Sequence, residues 1–503
     1  MKKVAITTPL VLAFLSGCGG GGSGSSSSGG FTGQTYNWQV IHLETTSAEN
    51  IEEGCIIFGT SENDTDKVIT ASVANTNYNI LFHDSDGSLL EDYTIAAEDV
   101  ASTGIVSIDS SLLPDNGYIT LEEIESGLSD NPNVYMFSVE KSLLSDLVVN
   151  VRLPQTGSDC YTGEDYRANS EISDSAALSV LEQANINFYQ TSYSEELVSG
   201  KSISSNIPVL SPIPAEKDTL VTAFYESENN QYTDLGYYTF VDSSYIYDTE
   251  LAAEIISSNL QNTDLTPFYW QTSDNITLNS SSAITIIFNE NTYLWQYIYN
   301  DTDQVTLAIN DNDISSWAGF FSGSENTTQW QFDSFQTITN NTTNIELDIP
   351  ELNSIENMQL IENCSIDTGS ADYCIDRGAS FDPDDFNFQR THIRLLSGAS
   401  NNTVYQTIYG SPSLQQPLLE SSVLDIQPSA TSRIEIGLMQ GNSTDENLQY
   451  FMDKYLDVTT LAETSTVANF NDANGFVTTP LESEALHQAI LESNVTFLQH
   501  GVE

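Results

Sequence analysis

The residue best placed for chemistry in this sequence is Cys18, whose thiol follows a short apolar stretch near the amino terminus. A basic pair, Lys2 and Lys3, comes first, and the apolar residues 4–15 follow it. A basic segment, a short apolar segment and a few small residues before a cleavage site form the layout of a secretory signal. The sequence therefore predicts export, with the signal covering residues 1–17.

The sequence Leu15-Ser16-Gly17-Cys18 resembles the lipobox of bacterial lipoprotein signals. The resemblance implies cleavage before Cys18, diacylglycerol on its thiol and an acyl group such as palmitate on its new amine. Gly19, rather than Asp, then occupies the second mature position. In Gram-negative lipoproteins this implies sorting to the outer membrane, on its periplasmic or its cell-surface face.

An ordinary signal, or a membrane helix with a chance cysteine, is the alternative. A spanning helix needs roughly 20 apolar residues, whereas this stretch has about a dozen. Residues 18–30 are interpreted as the lipidated cysteine and its tether, because residues 19–30 are all Gly or Ser. Such a coil spans about 20 Å. The expected partner of this part of the chain is therefore a membrane, reached through the lipid.

The four remaining cysteines indicate two disulfide bonds, since an even number in an exported chain is typical of a disulfide framework. Three pairings are possible. We expect Cys55–Cys160 and Cys364–Cys374, because each pair then falls within one predicted domain. Metal binding by these cysteines is the weaker interpretation, since the sequence has no CxxC pair.

Acidic turns are the candidate metal sites, because calcium prefers six to eight oxygen ligands. No cofactor is expected to be required, but a structural calcium ion could be bound. Hairpin turns rich in Asp and Asn explain the same residues without metal. The candidate ligands are Asp311, Asp313, Asp382, Asp384 and Asp385.

The sequence Ile366-Asp367-Thr368-Gly369-Ser370 resembles the active-site signature of aspartic proteases. That family needs two such loops, whose two carboxylates share a proton, and no second signature occurs here. The segment is therefore interpreted as a turn inside the loop of the second disulfide. No catalytic residue is assigned, and we expect a protein that is not an enzyme.

Short alternating or apolar runs, bounded by Asn, Asp, Gly and Ser, predict β-strands along most of the chain. Helical spacing of apolar residues predicts a few helices. The strands are expected at 36–40, 68–73, 78–82, 105–108, 134–139, 147–153, 219–225, 235–241, 268–270, 283–288, 292–299, 305–309, 317–321, 330–332, 345–349, 392–396, 404–409 and 433–438. The helices are expected at 173–184, 249–260, 448–461 and 482–498.

These elements predict a mainly β fold, with tandem immunoglobulin-like β-sandwich domains and a few helices, one of them C-terminal. Residues 31–163 are expected to form an N-terminal sandwich and residues 164–265 a mixed α/β connector or domain. A central β domain is expected at 266–385, and a C-terminal β domain with terminal helices at 386–503.

Four of the five tryptophans are followed by Gln, at Trp38, Trp270, Trp295 and Trp330. One interpretation is a repeated strand pattern with Trp inward and Gln in solvent. Duplicated sandwich domains and tryptophan platforms for sugars are the alternatives.

The charge is strongly acidic, with 71 Asp and Glu against 13 Lys and Arg and a net charge of -58. Such a chain repels nucleic acid and anionic head groups, so nucleic acid is not an expected partner. The acidic surface is interpreted as an adaptation to salty water, with a sink for divalent cations as the alternative.

The lipobox, the tether and the acidic β character together are similar to large surface lipoproteins of marine Gram-negative bacteria, of the flagellar sheath protein A type. The likeness transfers no functional residues. It implies an outer-membrane or cell-surface lipoprotein with a structural, adhesive or sheath role, whose further partners would be other surface proteins or polysaccharide. The alternative is a surface lipoprotein that binds or degrades carbohydrate.

Overall fold

The structure is a computed structural model, and it describes most of the chain after the tether. The predicted class is confirmed, since the described chain is mainly β with few helices and its sheets pack face to face. The described residues are 33–61, 66–125, 133–153, 155, 160–163, 177–178, 186, 188–192, 198–201, 207–208, 218–225, 227–228, 231–232, 234–242, 265–299, 304–308, 313–339, 344–347, 349–350, 352, 359–366, 369–377, 381–398, 402–428, 433–455, 462 and 475–502.

A sheet of 13 strands, here the central sheet, organises the fold. Strands are numbered in chain order. In their order across the sheet they are β21 (Asn291–Tyr297), β20 (Ala283–Phe288), β23 (Ile314–Glu325), β24 (Gln331–Ile338), β32 (Val495–Val502), β30 (Arg433–Gln440), β28 (Phe388–Ser397), β29 (Asn402–Gly410), β8 (Val134–Glu140), β7 (Tyr118–Ile124), β4 (Tyr78–His83) and β5 (Ile95–Ala96), with β19 (Ile276–Leu278) paired to β23.

The middle strands of the central sheet are covered on both faces, so their residues are buried on both sides. All seven residues of β8 are buried, as expected for a strand without a solvent face. Strand β8 runs parallel to β29, with Val134 opposite Val404. The central sheet thus crosses the boundaries predicted at 163, 265 and 385, while the division of the chain into domains stays a prediction.

A six-stranded sheet packs on one face of the central sheet. The core between them, here the helix-side core, includes Trp38, Val149, Phe137, Phe451 and Phe497. The strands are β2 (Gly59–Thr60), β3 (Lys67–Val73), β1 (Thr35–Ser47), β9 (Leu147–Asn150) and β31 (Gly475–Phe476), with β6 (Ile105–Asp109) also paired to β1.

Smaller sheets cover part of the opposite face, and the core beneath them is here the strap-side core. It includes Phe224, Trp270, Trp295, Phe321 and Ile393. These sheets are β12 (Val198–Lys201) with β11 (Phe188–Ser192), β14 (Thr219–Phe224) and β17 (Leu235–Val241); β22 (Gln304–Leu307) with β18 (Thr266–Gln271) and β25 (Asn344–Glu346); and the pair β26 (Gln359–Ile366) with β27 (Gly369–Asp376). Two further strand pairs are β10 (Ala177–Leu178) with β13 (Ile207–Pro208) and β15 (Ser227–Glu228) with β16 (Gln231–Tyr232).

Two α-helices, α1 (Asp445–Asp453) and α2 (Pro480–Leu491), lie on the helix side. A capping box starts α2, because the Thr479 hydroxyl accepts a hydrogen bond from the Glu482 N–H and the Glu482 carboxylate accepts one from the Thr479 N–H. Short 3-10 turns occur at Ala48–Asn50, Glu91–Tyr93, Ala97–Asp99, Ser110–Leu112, Lys141–Leu143 and Pro383–Asp385.

The helix predictions need three corrections. The helix expected at 482–498 ends at Leu491, and Leu498 lies in β32 opposite Leu438. Here the β-forming residues after the helix complete the central sheet between β24 and β30. The helix expected at 448–461 is α1, which begins and ends earlier. In the stretch 173–184, Ala177–Leu178 pairs as β10; the rest of that stretch, and the helix expected at 249–260, lie outside the described residues.

Candidate functional site

Residues 411–428, here called the strap, cross the strap side of the central sheet without forming a strand. Gln406 of β29 binds the middle of the strap: its Nε2 donates to the Leu419 carbonyl at 2.6 Å, and its Oε1 accepts from the Leu419 N–H at 3.1 Å. Gln406 is fully buried. One side-chain amide thus satisfies both backbone groups of a strap residue, as a neighbouring strand would.

Two buried carboxylates of the central sheet bind the strap at separate points. Glu140 of β8 accepts a hydrogen bond from the Ser411 N–H at 2.6 Å, where the strap begins. Glu122 of β7 accepts from the Ser421 hydroxyl at 2.6 Å and from the Ser422 N–H at 2.9 Å. Charge-assisted bonds of this kind are roughly twice as strong as neutral ones, so the strap is held firmly along its length.

A buried histidine is the fourth side chain that binds the strap. The His83 Nε2 lies 2.8 Å from the Glu420 carbonyl, and its Nδ1 lies 3.2 Å from the Thr120 hydroxyl, which in turn contacts Ser138. Complete burial lowers the pKa of His83 to about 4. The ring is therefore neutral near pH 7, with Nε2 as donor to the strap and Nδ1 as acceptor.

The strap also joins the β26–β27 hairpin to the sheet. The Gln416 side-chain oxygen accepts from Gln389 Nε2 at 3.0 Å and from the Thr391 hydroxyl. The Gln416 carbonyl accepts from the Ile375 N–H at 3.0 Å, and the Tyr373 carbonyl accepts from the Leu418 N–H at 2.9 Å. The second half of β27 is thereby paired to the strap.

Where β27 and the strap separate, they enclose a cleft of about 620 Å³ whose third wall is the turn at 84–91. We call it the acidic cleft. Two of its carboxylates bind the backbone of the turn at 84–91. Glu420 accepts a hydrogen bond from the Leu89 N–H, and Asp86 accepts one from the Ser88 N–H. The carboxylates that line it are Asp86, Glu91, Asp372, Glu420 and Asp425.

The turn can approach the strap because Gly87 has no side chain. Its φ is +87°, a left-handed conformation, and a Cβ there would lie 2.6 Å from the Leu418 carbonyl oxygen. The Gly87 carbonyl accepts a hydrogen bond from the Glu420 N–H at 3.0 Å. Only glycine meets both conditions without strain.

The helix side of the same strands carries a buried ion pair. Arg390 Nη1 lies 2.5 Å from a Glu435 carboxylate oxygen, and the guanidinium sits 4.1 Å from the centre of the Tyr455 ring. Burial opposes ionisation of Glu435, but Arg390 outweighs it and holds the pKa of that carboxyl below its usual range. The pair is enclosed, and its role is to join β28 to β30.

Glu123, the neighbour of Glu122, faces the helix side. Its Oε1 accepts from the Leu153 N–H at 2.6 Å and its Oε2 from the Arg152 N–H at 2.9 Å. Burial nevertheless raises the pKa of Glu123 to about 7, because desolvation of the carboxylate exceeds these hydrogen bonds. Such a carboxyl exchanges protons near neutral pH, but its oxygens are occupied by the backbone that follows β9.

Both predicted disulfide bonds are confirmed, Cys55–Cys160 and Cys364–Cys374. The first joins the segment between β1 and β2 to the segment that follows β9. The second crosslinks the β26–β27 hairpin, in which Ile366 lies opposite Gly369. The Asp-Thr pair of the protease-like signature, and Cys18, lie outside the described residues.

Among the described residues, the candidate calcium ligands do not form a cluster that could hold a metal ion. Asp382 accepts from the Asp384 N–H at 3.1 Å and so caps the turn Pro383–Asp385. Asp313 is exposed at the start of β23, and Asp311 lies outside the described residues. Within the described ranges, no three His, Cys, Asp or Glu side chains are placed to share a metal ion.

All five tryptophans are buried, at 5% exposure or less. The prediction of inward tryptophans with outward glutamines holds for Gln271 and Gln331, which are exposed, and partly for Gln39. Gln296 differs, with 1% exposure. It lies on β21, where Ser192 of the four-stranded sheet accepts a hydrogen bond from Leu294 and so covers the strand.

Sequence reasoning missed the side chains that hold the strap: His83, Glu122, Glu140 and Gln406. The available signal was Tyr118–Ile124, an apolar run interrupted by two glutamates and not identified as a strand. Charged residues inside such a run mark either a solvent face or a buried polar contact, and the sequence does not distinguish them.

Comparisons with known proteins add no assignment: no family model, no curated protein and no solved structure matches this chain. In the part of the chain that the structure describes, neither helix is long and apolar enough to cross a membrane.

Proposed function

We propose that this chain is an outer-membrane or cell-surface lipoprotein, anchored through Cys18, whose acidic β body has a structural, adhesive or sheath role and not a catalytic one. Support for the anchor comes from the sequence: the basic pair, the apolar residues 4–15, the lipobox-like residues and the Gly/Ser tether. Support for the role of the body comes from the strap.

One observation carries the proposal for the body. The buried side chains His83, Glu122 and Glu140 each bind the backbone or a side chain of the strap, and the oxygens of Glu123 accept hydrogen bonds from the backbone after β9. General acid–base catalysis needs such a group within hydrogen-bond reach of a substrate proton. Here their hydrogen-bonding capacity maintains a loop, which is a structural task.

The anchor is tested by mass spectrometry of the amino-terminal peptide of the natural protein, and by washing membranes with high salt. We expect an acylated cysteine and retention of the protein in the washed membranes. The Cys18→Ala variant should lose the acyl groups and the processed amino terminus. An unmodified wild-type amino terminus, or release by salt, would contradict the anchor.

The role is tested in cells that lack the protein and are complemented with the wild type or with Cys18→Ala. Treating intact cells with protease shows whether the body faces outward. A structural or adhesive role predicts weaker attachment in the absence of the anchored protein. Recovery in a sheathed-flagellum fraction supports the sheath version, and absence from that fraction removes it.

A carbohydrate-binding role is the second candidate, and the acidic cleft favours it. Sugars are recognised through hydroxyl groups, and the cleft offers carboxylates beside the hydroxyls of Ser88 and Ser421. The buried tryptophans favour the structural role instead, since none forms an exposed platform. Retention of the purified protein on immobilised polysaccharide, lost in Asp372→Asn, would support binding in the cleft.

A further inference from the structure

A second concave surface lies on the other side of the molecule, between α2 and strands β1 and β9 of the six-stranded sheet. We call it the α2 groove. It encloses about 660 Å³ and its lining is mostly apolar, with Leu147 and Val148 on the sheet and Leu481, Ala485 and Leu486 on the helix. Pockets of 300–1,000 Å³ hold small apolar ligands.

Leu481 marks the mouth of the α2 groove. It is 57% exposed, the highest exposure among the large apolar side chains in the described ranges. Its position is fixed, because the capping box that starts α2 involves Thr479 and Glu482 on either side of it. An apolar side chain held in water at the rim of an apolar groove favours an apolar occupant.

The charges at the rim decide which apolar occupant fits. Asp146, Glu446 and Glu482 line the α2 groove together with its apolar residues. A second copy of a chain with a net charge of -58 is repelled there, and so is an anionic bilayer surface. A single acyl chain carries no charge along its length, so the carboxylates at the rim do not repel it.

The course of the chain supplies such an acyl group. The described chain begins at Gly33, β1 begins at Thr35, and Asn37 and Gln39 of β1 already line the α2 groove. Cys18 lies 15 residues before Gly33. A Gly/Ser-rich coil of that length has a root-mean-square span of about 20 Å, so a lipid on Cys18 reaches the groove without strain.

We propose that the α2 groove takes up one acyl chain of the protein's own lipidated Cys18. The inference rests on the proposed lipid anchor. With one chain in the groove, the body shields part of its lipid from water when the protein is off the bilayer, and the remaining chains stay available for the membrane.

The test uses the full lipidated chain with the photoreactive residue p-benzoylphenylalanine in place of Leu481. The control has the same residue in place of Val423, which lies in the strap and is 46% exposed. Each protein is purified in detergent, transferred to detergent-free buffer and irradiated, and crosslinked peptides are identified by mass spectrometry. We expect an adduct between the α2 peptide and the acyl chain of the amino-terminal peptide, and none from position 423.

A further variant in the same labelled chain, Ala485→Phe, fills the α2 groove and should remove the adduct while circular dichroism shows an unchanged fold. An adduct to Phe31, to a second copy or to co-purified phospholipid would overturn the proposal, as would an acylated amino terminus with no lipid adduct at position 481. An unacylated amino terminus would instead remove the anchor itself, and the same mass spectrum distinguishes that result.

Discussion

Replacing Glu123 with Gln should change how stability depends on pH. Burial raises the pKa of Glu123 to about 7, whereas the unfolded chain titrates near 4.5. Between these values unfolding releases a proton, so the favourable contribution of the protonated carboxyl is complete below pH 4.5 and is lost as the pH rises through 7. The gap of 2.5 pH units corresponds to about 3 kcal/mol.

The stability contributed by His83 depends on pH in the opposite direction, over nearly the same pH range. Its pKa is lowered to about 4 in the folded chain, from an ordinary value of 6.5. The stability contributed by the neutral ring is therefore present above pH 6.5 and is lost as the pH falls towards 4. In the wild type, the contributions of Glu123 and His83 nearly cancel between about pH 4.5 and pH 6.5.

Each substitution removes one of these two opposing contributions. The pH dependence of the free energy of unfolding in each variant should therefore reflect the group that remains. Glu123→Gln keeps an oxygen to accept from the Leu153 N–H, and His83→Gln keeps a donor for the Glu420 carbonyl. The measurement is urea unfolding of both variants and the wild type between pH 4.5 and pH 8. The free energy of unfolding of Glu123→Gln, relative to wild type, should rise by about 3 kcal/mol from the lowest to the highest pH.

His83→Gln should show the reverse trend below pH 6.5, losing less stability than the wild type as the solution becomes acidic. All other titrating groups are shared, so they cancel in the differences. Parallel curves for Glu123→Gln and wild type across the whole range would refute the assignment of a raised pKa to Glu123. Parallel curves for His83→Gln would refute the neutral buried ring.

Four further substitutions test the contacts of the sheet and strap. Arg390→Met should cost about 3–5 kcal/mol, because it leaves Glu435 buried and unpaired, and adding Glu435→Leu should restore most of the loss in urea unfolding. Gln406→Leu should cost at least about 2 kcal/mol and raise amide exchange in the strap, because both backbone groups of Leu419 lose their partner; unchanged exchange would contradict it. Gly87→Ala should cost roughly 1–2 kcal/mol for its left-handed backbone alone, and rapid proteolysis of the strap is the readout.

Most strands could be predicted from the sequence because their residues follow the period of the pleat. The run 78–82 matches β4 within one residue, and 134–139 matches β8 within one residue. Apolar periodicity reports which side chains face a core, and a core face is a local property of a strand. The disulfide pairs could be predicted for a related reason, since a crosslink favours cysteines that lie within one folded segment.

The order of the strands could not be predicted, because it depends on contacts distant in the sequence. Val134 and Val404 are partners in a parallel pair although 270 residues separate them. The sequence of neither strand indicates which strand it pairs with. The final strand shows the same limit. Val495–Val502 continues the apolar pattern of α2, and its place between β24 and β30 is decided by the sheet.

The candidate site could not be predicted because its main element, the strap, lacks a periodic pattern. Its 18 residues are held by Gln406 of β29, which directly precedes the strap, and by side chains of β4, β7 and β8, which are distant from it in the sequence. The glutamates of β7 point to opposite faces, since successive strand residues alternate. One binds the strap and the other binds the segment after β9. The sequence shows only that two glutamates are adjacent.

The acidic cleft and the strap depend on each other, and this links folding to recognition. The walls of the cleft come from the turn at 84–91, from β27 and from the strap. We therefore expect that loosening the strap widens the cleft. By mass action, a ligand that binds only the closed cleft stabilises the folded chain by about 2.7 kcal/mol at 100 times its dissociation constant. The same ligand should stabilise Glu122→Gln less, because part of its binding energy closes a strap that Glu122 no longer holds. A molecule that raises the melting temperature of both proteins equally binds elsewhere.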